Sequence, residues 1–146
     1  MYGPHLTMEL YGCNKDKLSS VQEVAKFLDE LPAKIGMTKI IPPYVFKYSG
    51  VKPEDWGVSG IVLIAESHIA IHTYPDKEYV AFDAFSCKDF DSKQVVKMVC
   101  EMFEAKNYEE KTFERGKHFP KEAVRNEQIM AMQRAQKKVS MPESTV

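Results

Sequence analysis

Apolar and polar positions alternate with a period of two along much of this chain and recur at helical spacing in two other stretches. Leu6, Met8 and Leu10 alternate with Thr7, Glu9 and Tyr11, which predicts a strand over 5–12 with one core face. A polar turn follows at 14–18. Ser20 precedes Glu23 by three residues, a capping box, and Val21, Val24, Ala25, Leu28 and Leu31 fall on one helical stripe. A helix over 20–31 is predicted, with Pro32 stopping or bending it. Residues 38–49 read as strand but are broken by Pro42 and Pro43, which leaves 44–48 as the better ladder segment. After a loop at 50–57, strands are expected over 59–65, 68–74 and 79–85. Val95, Val96, Val99, Met102 and Phe103 define a second helix from 91 or 92 to about 105, and 108–114 reads as a final strand. Residues 121–139 are polar and helix-prone without an apolar stripe, and 140–146 form a polar tail.

This order predicts an α+β fold: a two-layer sandwich of a mostly antiparallel sheet with two main helices on one face. The domain is expected over 1–120, followed by a peripheral helix and flexible tail over 121–146. The second sheet face would need a cover, so a homodimer or higher oligomer is expected to form through or beside it.

Composition narrows the functional classes. A chain of 146 residues with 44% hydrophobic content is long enough for one cored domain. A formal net charge of -1 gives no field that would favour nucleic acid or an anionic membrane, so neither is expected as a partner. No apolar run approaches the roughly 20 residues that span a bilayer, and the start MYGPHLTMELYG does not read as a signal peptide. Cys13, Cys87 and Cys100 include no CxxC pair, which speaks against a disulfide framework or a zinc ribbon and makes the cytoplasm the expected compartment.

The most apolar stretch, residues 61–87, also holds the densest reactive set: Glu66, Ser67, His68, His72, Asp83, Ser86 and Cys87. His68 and His72 have the HxxxH spacing of a helical metal pair. On a strand, however, four residues span about 13 Å, too far for two ligands of one zinc at about 2 Å each, so no metal is expected. Ser67 and His72 differ by an odd number, so they share a face only if the ladder breaks near Ser67. A turn at 65–66 would make Ser59 and His72 cross-strand partners, and Ser59, Ser67 and His72 are then expected to cluster as nucleophile and base. No GxSxG elbow or glycine-rich phosphate loop is present. The residues by themselves reach a Ser/His/Cys site of open chemistry.

Glu66-Ser67-His68, the Ile-His-Thr-aromatic-Pro run at 71–75, and Asp83 with Phe85-Ser86-Cys87 resemble the bacterial and archaeal type of S-adenosylmethionine decarboxylase proenzyme. PHLTMELYGC and PPYVFKYSG are also similar to that family, and the resemblance covers about 4–120. Tyr74 stands where many relatives have Trp, and Asp76 where many have Glu. The resemblance implies self-cleavage between Glu66 and Ser67 into chains 1–66 and 67–146. Ser67 Oγ attacks the Glu66 carbonyl, a base removes the Ser67 α-proton, and elimination then leaves a pyruvoyl group at the new N-terminus. That group forms a Schiff base with the amine of S-adenosylmethionine, without metal or pyridoxal phosphate. The implied roles are His72 as proton acceptor in processing, Ser59 as its helper, and Cys87 as proton donor in catalysis. A thiol keeps its proton at neutral pH, which suits a donor. Tyr74, with Tyr44, Phe46 and Tyr48, is a candidate for stacking on the substrate. Two alternatives stay open: the same chemistry on ornithine or arginine, or an unprocessed relative that binds or regulates without catalysis.

Overall fold

The computed structural model describes residues 2–120 and 131–135. Tyr2–Arg115 forms one compact unit, and the chain from Gly116 onward belongs to another. In chain order the first unit contains β1 (Gly3–Tyr11), α1 (Lys15–Ser19), α2 (Val21–Lys34), β2 (Thr38–Lys39), β3 (Tyr44–Tyr48), β4 (Gly57–Ala65), β5 (Ser67–Tyr74), β6 (Tyr79–Ser86), α3 (Ser92–Phe103) and β7 (Asn107–Arg115). Single 3-10 turns occur at Pro53–Asp55 and Pro75–Lys77. In the second unit the Phe119 amide donates to the Gly116 carbonyl, and 131–135 are helical. The rest of the expected peripheral helix, and the tail at 140–146, lie outside the described residues.

The sheet has seven strands in the order β2-β4-β5-β6-β1-β7, with β3 also on β4, and every pairing is antiparallel. Period-two alternation sorts its two faces. Leu6, Met8, Leu10, Val58, Val62, Ile64, Ile69, Ile71, Val80, Phe82 and Ala84 are buried together on the inner face. Val24, Leu28 and Leu31 of α2 and Val95, Val99 and Phe103 of α3 complete that core. The α+β sandwich predicted from patterning is therefore the observed architecture.

Two local expectations fail. Residues 14–18 are not a turn: Asn14 Oδ1 accepts from the amides of Asp16 and Lys17, capping the short α1. Pro32 does not stop α2, which runs on to Lys34. Its missing N–H falls in the last turn, where only one interior hydrogen bond is lost, and the helix ends within two residues of it. Ser20 and Asp91 cap α2 and α3 through the amides of Glu23 and Gln94, as the patterning suggests.

Thr73 ties α1 to the β4–β5 hairpin. Its side chain is 3% exposed, donates to the Leu18 carbonyl at 2.7 Å and accepts from the Val58 amide at 2.9 Å. Gly57 packs so tightly there that a Cβ would stand 1.7 Å from the Thr73 carbonyl oxygen. Thr73→Val keeps the shape but leaves a buried amide and a buried carbonyl without this partner. Urea unfolding should show it less stable by about 1–3 kcal/mol, and an unchanged midpoint would contradict the role.

Candidate active site

The outer sheet face, opposite the helices, carries the reactive residues. His68, Ala70, His72 and Tyr74 alternate outward from β5, Tyr79, Ala81, Asp83 and Phe85 from β6, and His5, Thr7, Glu9 and Tyr11 from β1. An open concavity of about 570 Å³ lies on this face, bordered by Thr7, Glu9, His72, Ala81, Asp83 and Lys111.

The β4–β5 hairpin turns at Glu66, and its register makes Ser59 the partner of His72, as the turn placement predicts. Ser59 Oγ lies 3.0 Å from His72 Nδ1. At the other end of the hairpin Ser67 sits at φ = 120°, a backbone region that favours glycine and costs a non-glycine residue about 1–3 kcal/mol. Strand parity breaks there. Ser67 would otherwise face the core, but its Oγ lies 3.4 Å from Nδ1 of the outward-facing His68.

Three more contacts define the Ser67 end. The Cys87 amide donates to the Glu66 carbonyl oxygen at 3.3 Å, so the carbonyl of the Glu66–Ser67 bond is already polarised. Ser86, next to Cys87, is the register partner of Ser67, which brings the Cys87 region alongside the turn. The Tyr2 hydroxyl donates to Glu66 Oε2 at 3.4 Å, and burial together with the nearby Glu66 carboxylate raises its pKa above the ordinary tyrosine value.

A charged cluster adjoins this end. His68 Nε2 lies 2.8 Å and His5 Nε2 3.0 Å from the same Asp83 Oδ2, and Arg115 Nη1 is 3.4 Å from His5 Nδ1. The Arg115 guanidinium also stacks 4.1 Å over the Phe85 ring. Ligand-capable atoms of His5, His68 and Asp83 all lie within 4.8 Å of one another, the one such group among the described residues.

The expected single cluster of Ser59, Ser67 and His72 is not what one chain forms. Ser59 and His72 meet, but His72 stands five residues along β5 from Ser67, a path of about 16 Å at about 3.3 Å per residue. Tyr74 lies beyond His72 at that far end, its ring 5.7 Å from Tyr79. Glu66, Ser67 and Cys87 do converge. Patterning missed the joining of His5 and His68 through Asp83. All three carry outward parity, but their meeting depends on β1 and β5 both flanking β6. Asp76 is tied structurally: it accepts from Trp56 Nε1 at 3.0 Å, and that hydrogen bond, reinforced by Lys15, lowers its pKa.

The remaining thiols, Cys13 and Cys100, fit packing. Cys13 is 2% exposed, and burial, with Cys100 and Glu78 nearby, pushes its pKa up to about 11. Burial also raises that of Cys100. Neither is near Ser67 in the fold.

With this geometry in place, comparison with known proteins is decisive. The sequence model described as S-adenosylmethionine decarboxylase matches residues 4–116. The chain belongs to the S-adenosylmethionine decarboxylase family. It is 38% identical over 116 residues to an S-adenosylmethionine decarboxylase proenzyme of Clostridium botulinum, covering 79% of this chain and 95% of that protein. It is 34% identical over 115 residues to the proenzyme so named from Pyrococcus furiosus, covering 78% of each. The crystal structure of the adenosylmethionine decarboxylase from Aquifex aeolicus superposes with a TM-score of 0.67 at 28% identity, covering 79% of this chain and 91% of that one. The matched span takes in both ends of the β4–β5 hairpin and stops at the boundary of the first unit.

Proposed function

We propose that this chain cleaves itself between Glu66 and Ser67 and then decarboxylates S-adenosyl-L-methionine to S-adenosyl 3-(methylthio)propylamine and carbon dioxide, a step of spermidine and polyamine synthesis. The observation that carries the reading is the Ser67 turn: a serine at positive φ, its hydroxyl beside an imidazole nitrogen, with the preceding carbonyl held by the Cys87 amide. The alternatives, ornithine or arginine as substrate or a non-catalytic relative, gain nothing from the family match. No described helix is long and apolar enough to cross a membrane, and the three free cysteines suit a reducing cytoplasm.

The residues at the turn fit the formation of a pyruvoyl group. Ser67 supplies the attacking oxygen, and the Cys87 amide stabilises negative charge on the Glu66 carbonyl oxygen. Once formed, a pyruvoyl group supplies an electron sink for the carbon that loses carbon dioxide. Cys87 Sγ, at the same end of the hairpin, holds the proton for that carbon. His72, oriented by Ser59, takes the Ser67 α-proton during processing.

The last role requires a second copy. An elimination base has to touch the proton it removes, and His72 is about 16 Å along its own strand from Ser67. The same open face exposes apolar side chains of β3, β4 and β7: Phe46 is 45% exposed, Ile61 40%, Leu63 39% and Phe113 40%. Such a patch marks an interaction surface. A second protomer laid over it buries these residues and brings its own Ser59–His72 pair, with Tyr74 beside it, to this chain's Ser67. We therefore infer a homodimer of two-chain protomers with shared sites.

Intact-mass analysis of the purified protein should show two chains, 1–66 and 67–146, the second ending in pyruvoyl. Ser67→Ala should remain one chain, and a wild-type protein that stays full length after prolonged incubation would refute self-cleavage. Cys87→Ala should still cleave, yet lose about 10²–10⁴-fold in turnover, the range of a positioned acid. It should also convert its pyruvoyl end to alanine faster, because a misplaced proton ends the cycle. Near-normal turnover without that conversion would refute Cys87 as the proton donor.

A further inference from the structure

The roles above leave the hydroxyl proton of Ser67 without an acceptor, and they leave His5, His68, Asp83 and Arg115 without a task. Hydrogen-bond chemistry fixes where the protons of this cluster sit. A guanidinium only donates, so Arg115 Nη1, 3.4 Å away, makes His5 Nδ1 an acceptor. The His5 proton is then on Nε2, donated to Asp83 Oδ2 at 3.0 Å. An ionised carboxylate only accepts, so His68 also carries its proton on Nε2, 2.8 Å from the same oxygen. In neutral His68 the lone pair is then on Nδ1, and Nδ1 is the atom 3.4 Å from Ser67 Oγ.

We propose that His68 is the base that activates Ser67 for the acyl shift, held in the required tautomer by Asp83, which His5 and Arg115 position in turn. The assignment rests on the self-cleavage reading and divides its two proton transfers between two histidines. In the first step His68 Nδ1 takes the Oγ proton as Oγ bonds to the Glu66 carbonyl carbon. The bond between that carbon and the Ser67 nitrogen then breaks, its electron pair going to nitrogen, which takes the proton back from Nδ1. The products are an ester and a free amine, and His68 ends as it began. The Asp83 carboxylate stabilises the transient imidazolium, as in any serine–histidine–carboxylate array. Because His68 adjoins Ser67 in sequence, the base arrives already placed.

The same three side chains could be read as metal ligands. Both Nε2 atoms, however, already donate to the carboxylate, and a guanidinium stands against His5. A divalent ion would displace both hydrogen bonds and meet that fixed positive charge.

Time-resolved intact mass of freshly made full-length protein, with and without hydroxylamine to cut any ester, separates the steps. Wild-type protein should cleave; if it does not, the self-cleavage reading fails as a whole. His72→Ala should stop at an ester that hydroxylamine cuts at residue 67. His68→Ala should remain full length and resistant to hydroxylamine, its first step slowed about 10²–10⁴-fold. Asp83→Asn should fall between His68→Ala and wild type. Imidazole added to His68→Gly should restore ester formation. In the Ser67→Cys background, where the more acidic thiol needs less help, replacing His68 should cost far less than in wild type. Ester formation in His68→Ala at the wild-type rate would overturn the proposal. So would an equal loss in both backgrounds, which is the mark of a structural role. Cleavage that needs added zinc and stops with chelator would overturn it in favour of a metal site.

Discussion

The register between β4 and β5 is the constraint on which the site depends. A slip of one residue would turn His68 and His72 into the core and push Ile69 and Ile71 outward. The inner face resists that slip through Val62 opposite Ile69 and through Thr73, whose hydroxyl answers both α1 and Val58. With the register fixed, the hairpin has to turn at Glu66, and Ser67 falls where strand parity breaks. Cooperative packing on one side of the sheet thus holds reactive geometry on the other.

The same register separates two groups of residues that sequence spacing would join. Ser67, Glu66 and Cys87 share one end of the hairpin, with His68 and Asp83 beside them. Ser59 and His72 pair at the other. A rigid strand cannot fold back to close a gap of about 16 Å, so within one chain Ser67 has His68 beside it while His72 stands farther along the same outer face. Ile61 and Leu63 of that face are exposed, and in the proposed homodimer a second copy would bury them and complete the chemistry. The fold asks little of the short chain beyond one well-packed layer of helices.

Much of this was legible in the sequence where the signal is local. Alternation places the long strands, and symmetry about the 65–66 turn pairs Ser59 with His72, as in the observed register. Capping residues located both main helices. The family resemblance supplied the chemistry, which periodicity alone left open. What escaped reading has physical causes. Asn14 competes between turn and cap, and only packing of Leu18 into the core decides for helix. Pro32 is tolerated because it sits where the helix is ending. The meeting of His5, Asp83 and His68 depends on strand order, with β6 between β1 and β5, and strand order is not written in any local period.

In the proposed shared site one chain supplies Ser67 and another supplies the His72 that completes cleavage. Mixing tests it most directly. Ser67→Ala chains cannot be cut but carry an intact Ser59–His72 pair, while His72→Ala chains keep Ser67 and lack the base. Each should remain uncleaved when made alone. Co-expressed with distinguishable tags, the His72→Ala chains should be cut between Glu66 and Ser67 and acquire pyruvoyl, seen by intact mass. If the mixed protein forms hetero-oligomers and the His72→Ala chains still stay whole, His72 does not act across subunits and the shared-site account is wrong.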